Sequence, residues 1–234
     1  LIPSGVAILD AGDLPGDPKT PEANRGAIEG AVKTIRDAGA TPLVLGGDDA
    51  VPLPVMAAYR DHGPIWVVQI DAHIDWRDER FGEKLGWSSP MRRASEMGWV
   101  EAIVQLGARG VGSATPEEVE DARAWGARMI TAREIHARGI GDAFAAIPPG
   151  AKVFITLDCD GLDPSVMPAV AARVPGGLTY WHVMDIFDAL SKRFRIVGCD
   201  IVEIAPDRDV DGIGMLTGVR LVSTAAAAMA RSRG

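Results

Sequence analysis

Residues 65–75, Ile-Trp-Val-Val-Gln-Ile-Asp-Ala-His-Ile-Asp, decide the fold. The first six are almost all apolar, which is typical of a strand that is buried on both faces of a parallel sheet. The next five place polar side chains at alternate positions, Asp71, His73 and Asp75. Residues two apart in an extended chain share a face, so we expect these three side chains to project together. The segment therefore predicts a buried strand that ends in a polar cluster.

Similar apolar segments recur along the chain and alternate with longer amphipathic stretches. The apolar segments lie at 6–9, 42–45, 103–106, 153–157 and 196–202. The amphipathic stretches begin at Thr20-Pro21, at the capping sequence Thr115-Pro116-Glu117-Glu118, at Thr179 and at Gly212. This alternation predicts a doubly wound α/β sheet, mostly parallel, with right-handed crossovers. The sequence shows neither an internal repeat nor a linker, so we expect a single domain over 1–234.

The composition of the chain excludes several classes of protein. Its 234 residues include 24 Lys and Arg against 32 Asp and Glu, a net charge of −8, and 47% are hydrophobic. Such a chain can bury a full core, and without a Lys/Arg-rich run it is not expected to bind nucleic acid or a membrane surface. No apolar run near the ~18 residues of a membrane span and no export signal are evident, which predicts a cytoplasmic protein. Cys159 and Cys199 lie in strand-like runs and are expected to be buried and reduced.

Acidic residues follow four of the predicted strands, at the edge where open α/β sheets place their ligands. They are Asp48, Asp49, Asp71, Asp75, Asp158, Asp160 and Glu203. Several carboxylates close together need a compensating cation to stay ionised, so the pattern predicts a divalent metal site. An oxygen-rich set with one imidazole, His73, suits Mn²⁺ better than Zn²⁺. The alternative, that the acids are helix caps or exposed loop residues, requires Asp-x-His-x-Asp and Asp-x-Asp both to be coincidences.

Together with other motifs, these residues resemble the ureohydrolases, the arginase and agmatinase family. The motifs are Gly-Gly-Asp-Asp at 46–49, Asp-Ala-His-Ile-Asp at 71–75, Met-Arg-Arg-Ala at 91–94, Asp-Cys-Asp-Gly-Leu-Asp-Pro at 158–164, Pro-Gly-Gly-Leu-Thr-Tyr at 175–180 and Glu-Ile-Ala-Pro at 203–206. The resemblance runs from about Gly5 to the C-terminus. It implies a three-layer α/β/α fold in which the family's usual N-terminal strand is missing, and a homo-oligomer, either a trimer or a hexamer.

The activity that the resemblance implies is hydrolysis of a small guanidino compound. Two Mn²⁺ ions, or another divalent metal such as Ni²⁺, would share a hydroxide that attacks the guanidinium carbon and releases urea and an amine. By position, the bridging ligands would be Asp71 and Asp158, with Asp75 completing one metal and His73 and Asp160 the other. Glu203 would pair with the substrate guanidinium, and the expected catalytic residues are Glu203 and Asp160.

The sequence departs from the family pattern at two positions of the expected site. Asp49 stands where the family usually has a His ligand. It can still bind a metal, but its negative charge should make the catalytic water less acidic and raise the pH optimum. Trp87 stands where the family usually has a proton-shuttling His. Its ring would either contact a cationic group of the substrate or pack under a loop, and both interpretations stay open.

Three interpretations of the function follow. An agmatinase-like hydrolase is favoured over an arginase, because residues 76–79, Trp-Arg-Asp-Glu, lack the Asn/Ser-rich stretch that arginases use for an α-amino acid. A catalytically silent homologue, serving as a structural or regulatory subunit, is suggested by Asp49 and Trp87. A related metallohydrolase that acts on an amide is the third.

Other features of the sequence point to structure rather than to chemistry. The glycines of residues 107–112 lack the spacing of a nucleotide-binding loop. Arg92 and Arg93 are expected in buried or intersubunit ion pairs. Three histidines outside the motifs are expected on the surface or on helices: His62, His136 and His182.

Overall fold

Seven helices and six strands make up the part of the chain that the structure, a computed structural model, describes: residue 3 and residues 5–233. The helices are α1 (Pro21–Asp37), α2 (Pro52–Ala57), α3 (Pro90–Ser95), α4 (Pro116–Trp125), α5 (Ala132–Arg138), α6 (Tyr180–Arg193) and α7 (Ile213–Arg231). The strands are β1 (Leu43–Leu45), β2 (Ile65–Ile70), β3 (Val100–Leu106), β4 (Arg128–Ile130), β5 (Lys152–Asp158) and β6 (Arg195–Val202). Short 3-10 helices span Cys159–Gly161 and Pro206–Arg208.

The strands form one sheet in the order β1-β6-β5-β2-β3-β4, and every neighbouring pair is parallel. From β2 the chain adds β3 and β4 on one side, and then returns to place β5 on the other side of β2. Ligands of open α/β sheets bind outside the carboxyl ends of the strands at such a reversal. The topology therefore places a candidate site beyond the ends of β2 and β5.

Helices cover both faces of the sheet, which confirms the three-layer α/β/α architecture. Strand β2 is apolar except for Gln69 because it packs on both faces: Ile65 and Val67 pack into one core and Val68 and Ile70 into the other. The first core contains buried residues of α1 to α4, and the second contains those of α5 to α7. Each face of the sheet is thus removed from water, as is usual for parallel strands.

Five of the six predicted strands are confirmed, and the one at residues 6–9 is wrong. Those residues form no strand, and the side chains of Ile8 and Leu9 are 65% and 86% exposed. Apolar residues form a strand only where a neighbouring strand supplies hydrogen bonds and packing, and here neither is present among the described residues. The sequence also missed β4, whose three residues are only half-buried and include Arg128, so it carries no apolar run.

Helix α7 contradicts the expectation that no segment is long and apolar enough to span a membrane. By length and composition it would reach across a bilayer. Core helices pass the same test, however, and α7 buries Leu221, Ala225 and Ala228 in the core shared with α5 and α6. Both cysteines are buried and free, as the sequence predicted.

Candidate metal centre

A cavity of about 570 Å³ opens beyond the carboxyl ends of the strands. It is lined by seven of the residues that the sequence singled out: Asp49, His73, Asp75, Trp87, Asp158, Asp160 and Glu203. Asp71, which is only 2% exposed, lies directly behind them against His73. The structure thus brings every predicted site residue to one place.

Two sets of potential ligands overlap at Asp71. In the first, His73 Nδ1 lies 3.2 Å from Asp71 Oδ1 and 3.3 Å from Asp160 Oδ2. One ligand atom from each of these residues lies within 4.8 Å of the others. The same spacing holds in the second set, which comprises Asp49, Asp71 and Asp158. Because Asp71 belongs to both sets, the arrangement has the form of two adjoining cation sites with one shared ligand.

The local conformation that gathers these ligands differs from the extended chain that the sequence suggested. Strand β2 ends at Ile70, and the next residues turn, with His73 N donating to Asp71 Oδ1 at 2.6 Å. After β5 the chain enters a 3-10 turn, in which Asp160 N donates to Asp158 Oδ1 at 2.7 Å. The prediction that these side chains converge because alternate residues of an extended strand share a face is therefore wrong. The Asp side chains close local turns by accepting backbone N–H groups, and these turns converge.

Backbone strain accompanies two of the functional positions. Asp75 and Glu203 adopt φ values of +46° and +62°, a left-handed conformation that costs a non-glycine residue free energy. Glu203 is held there because its N–H donates to Gly47 O at 3.0 Å, while its Oε1 accepts the Asp49 N–H at 3.0 Å. The Glu203 carboxylate is thereby tied to the same loop that supplies Asp49.

Arg109 stabilises the loop that carries Asp160 through hydrogen bonds to its backbone. Its guanidinium donates to the backbone carbonyls of Asp160, Gly161 and Leu162 at 2.8–3.1 Å and also reaches Val174 O. Gly107 lets the two loops approach, since a Cβ there would lie 2.8 Å from Asp71 O. The glycines of residues 107–112 therefore serve close packing beside the site. Sequence reasoning missed Arg109, because all but one of its acceptors lie more than 50 residues away in the chain.

Two buried glutamines orient the ligands that follow β2. Gln69 Nε2 donates to Asp71 Oδ2 at 2.8 Å and also to Asp75 Oδ2. Gln105 Nε2 in turn donates to Gln69 Oε1 and to Ile74 O, both at 2.6 Å. Sequence reasoning missed this pair as well. The available signal was a polar residue inside each of two otherwise apolar strands.

Burial and like charge act together on the carboxylates. Burial raises the pKa of Asp49, Asp71 and Asp158 well above its usual range, and the neighbouring carboxylates raise it further. Burial opposes the charged form of His73, but hydrogen bonds to Asp160 and Asp71 outweigh it and raise its pKa to about 11. Close carboxylates with such pKa values need either protons or cations between them.

Asp49 provides a direct test of whether the residues fit cations. Its side chain is buried, and Oδ2 has no hydrogen-bond partner among the described residues. A buried, unpaired carboxylate oxygen is costly unless a positive charge faces it. Divalent ions coordinated by the two overlapping sets would meet this need, so the donor set fits a pair of divalent cations. Asp75 belongs to neither set but shares the Gln69 amide with Asp71.

Trp87 lies at the outer part of the cavity with 46% of its surface exposed. The face of its ring is covered by the chain's own Arg80, whose Cζ lies 4.2 Å from the ring centroid. Trp87 is therefore not buried under a loop, and its stacking partner in this structure is a protein guanidinium.

The remaining predicted features have structural roles. Arg92 pairs with Glu96 and Asp121, and Arg93 with Asp78, so these ion pairs are made within the chain. His136 and His182 lie on α5 and α6, where their rings meet edge to face at 4.8 Å. His62 lies in the turn after α2.

The sequence and the fold of this chain are both similar to those of known proteins. The sequence matches the arginase family over residues 2–228. It is 33% identical to a guanidinobutyrase from Pseudomonas aeruginosa over 83% of this chain and 62% of the relative. It is 34% identical to a mitochondrial agmatinase from Gallus gallus, covering 83% of this chain and 58% of the relative. The chain thus spans about three fifths of the length of these relatives.

A solved structure shows the same architecture. The arginase from Medicago truncatula superposes with a TM-score of 0.77 at 31% sequence identity, covering 92% of this chain and 66% of that one. The structural match extends the sequence match to the parallel sheet and its flanking helices. Because the family match covers nearly every residue, the chain belongs to the arginase family.

Proposed function

We propose that this chain hydrolyses a small guanidino compound to urea and an amine at a pair of divalent cations. The observation that carries the proposal is the overlap of two ligand sets at Asp71, beside the carboxylate of Glu203. The names of its relatives, a guanidinobutyrase and an agmatinase, support a guanidino substrate. Mn²⁺ is the first candidate for the metal, and Ni²⁺ is the alternative.

The cations would be held by residues of both sets. Asp71, which belongs to both sets, would help to hold both ions, with His73 and Asp160 for one and Asp49 and Asp158 for the other. Asp75, which shares the Gln69 amide with Asp71, would add a ligand to the ion at Asp49. When bound, two such ions would lower the pKa of a water between them and stabilise developing negative charge.

The chain's own residues would position the substrate. Glu203 is half-buried, burial raises its pKa, and its Oε1 is fixed by the Asp49 N–H. A guanidinium is planar and offers parallel N–H donors, which a fixed carboxylate accepts in a two-pronged contact. Asp160 faces the cavity beside His73 and would accept the proton that the attacking water gives up. That proton then leaves with the amine when the C–N bond breaks.

Release of urea tests the proposal. Protein loaded with Mn²⁺ is offered agmatine, 4-guanidinobutyrate, guanidine and arginine, and we expect urea from at least one of them. Glu203→Gln should lower kcat/KM by about 100-fold or more, because it removes the charge that binds the guanidinium. Glu101→Gln is the matched control, since Glu101 is exposed on β3 away from the cavity.

The outcome also separates the other interpretations. Protein that binds the ions but releases no urea from any guanidine would contradict the proposal. Ammonia released from an amide would then indicate the amide hydrolase. Absence of bound metal together with absence of activity would indicate the catalytically silent homologue.

A further inference from the structure

Two arginine side chains line the cavity, and only one of them is paired with a carboxylate. Arg77 Nε lies 3.1 Å from Glu118 Oε1, so its charge is compensated. Arg80 has no carboxylate oxygen within 4.0 Å among the residues that the structure describes. An uncompensated guanidinium in a substrate cavity offers an anion a charged, directional partner.

Arg80 is held in place by Trp87 and by a tight turn. Its guanidinium stacks on the Trp87 ring, at 4.2 Å from the centroid. Residues 80–83 close on themselves, because Arg80 N donates to Glu83 O at 2.9 Å and Glu83 N donates to Arg80 O at 3.0 Å. Phe81 and Gly82 have φ values of +55° and +83°, as the central residues of a type I′ turn require. A guanidinium stacked by its face keeps the N–H donors at its edge free.

We propose that Arg80, stacked on Trp87, binds a carboxylate at the far end of the substrate, so that the chain prefers guanidino acids to guanidino amines. The inference rests on the proposed function, in which Glu203 and the acidic cluster bind the guanidinium at the inner end. A carboxylate would meet the edge of Arg80 in a two-pronged contact. The ammonium tail of a guanidino amine would meet a like charge at the same place.

Among the residues that the structure describes, Arg80 is the cavity's one guanidinium without a carboxylate partner. Glu118 also lines the cavity but is engaged by Arg77. Asp48 lines it too, and its negative charge contributes to raising the pKa of Glu203. Asp48 is exposed at the cavity, and its charge would add to the acidic surroundings of Glu203 that favour the guanidinium of the substrate. The cavity is thus acidic at the inner end and cationic at Arg80.

Three compounds of similar length differ mainly in the charge at the end opposite the guanidinium: anionic 4-guanidinobutyrate, cationic agmatine and neutral 1-butylguanidine. We expect the wild type to favour 4-guanidinobutyrate. Arg80→Gln should lower kcat/KM for 4-guanidinobutyrate by about 10- to 100-fold, mainly through KM, and leave 1-butylguanidine unchanged. Arg80→Lys keeps the charge and should retain part of the preference. Arg60→Gln is the matched control, because Arg60 stacks on Trp99 at 5.3 Å but does not line the cavity.

Calorimetric titration of the same compounds into protein freed of metal gives a readout that does not depend on turnover. We expect Arg80→Gln to weaken binding of 4-guanidinobutyrate and not of 1-butylguanidine. A wild type that prefers agmatine, or an Arg80→Gln variant that changes all three substrates equally, would overturn the inference while leaving guanidine hydrolysis intact. If no urea is released from these three compounds, nor from guanidine or arginine, the proposed function fails, and the titration still decides whether Arg80 binds the carboxylate.

Discussion

At the scale of single residues, Asp49 belongs to the metal-ligand cluster and also positions Glu203. Its carboxylate belongs to the second ligand set, and its backbone N–H orients the Glu203 carboxylate. Its buried Oδ2 has no hydrogen-bond partner among the described residues. A carboxylate here would give a metal-loaded centre one more negative charge than a neutral imidazole at the same position. That charge would act on a water bound at the centre.

Replacing Asp49 by His should therefore make the reaction proceed at lower pH. Asp49→His removes one negative charge from the centre, which lowers the pKa of the catalytic water. We expect the midpoint of the pH–rate profile to move to lower pH, as measured by urea release. Asp61→His serves as control, because Asp61 is exposed and lies outside the cavity. A midpoint that stays in place or rises would show that the charge of Asp49 does not govern the water.

At the scale of the elements, the glutamines of β2 and β3 join the sheet to the ligands. Gln69 and Gln105 lie opposite each other in the parallel register. Gln105 donates to Gln69, and Gln69 donates to Asp71 and Asp75. Strand β3 supplies no ligand, but through Gln69 it restrains both aspartates. Groups that orient metal ligands in this way affect metal affinity almost as directly as the ligands do.

Gln69→Leu should weaken binding of Mn²⁺ by about 10- to 100-fold, because Asp71 and Asp75 lose the donor that orients them. Equilibrium dialysis against Mn²⁺ measures the effect. Gln105→Leu should have a smaller effect in the same direction, since Gln105 acts only through Gln69 and the Ile74 carbonyl. Unchanged affinity in Gln69→Leu would show that the glutamine only fills space in the core.

The strands and turns also show which features could be predicted from the sequence and which could not. Five strands could be predicted because each is an apolar run between two helical layers, whereas β4 has no such run. The members of the acidic cluster could be predicted from where strands end. Their geometry could not, because turns closed by the Asp side chains replace the extended chain. The roles of Gln69, Arg109 and Arg80 depend on contacts between distant segments, or on stacking, that local pattern does not encode.

At the scale of the whole molecule, the excess of negative charge is unevenly distributed. The chain has a net charge of −8, and five aspartates of the cluster are buried at one edge of the sheet: Asp49, Asp71, Asp75, Asp158 and Asp160. Two divalent ions would contribute +4 at this place, so the net charge of the loaded protein would be about −4 instead of −8. The homo-oligomer that the resemblance implies stays a prediction.

A buried carboxylate outside the acidic cluster, that of Asp200 on β6, should make the stability of the molecule depend on pH. Asp200 is completely buried, and burial raises its pKa from 3.8 to about 7. Between these values the folded state holds a proton that the unfolded state has lost. Its contribution is fully present below pH 3.8 and is lost as the pH rises to 7, by at most about 1.4 kcal/mol per pH unit.

The side chain at position 200 cannot ionise in Asp200→Asn, so this variant should not lose that stability as the pH rises. Urea denaturation of both proteins at pH 5 and pH 8 measures it, and the acidic cluster, common to both, cancels in the comparison. We expect the free energy of unfolding of the variant, relative to the wild type, to be higher at pH 8 than at pH 5. An equal difference at the two pH values would show that Asp200 is ionised throughout.

The central claim, two adjoining cation sites that share Asp71, is tested most directly by counting the ions. Protein dialysed against Mn²⁺ and freed of unbound metal is analysed for manganese per chain. The account predicts about two ions per chain for the wild type, and fewer than one for Asp71→Asn, because the shared ligand serves both sites. One ion or none in the wild type, or two retained in Asp71→Asn, would contradict it.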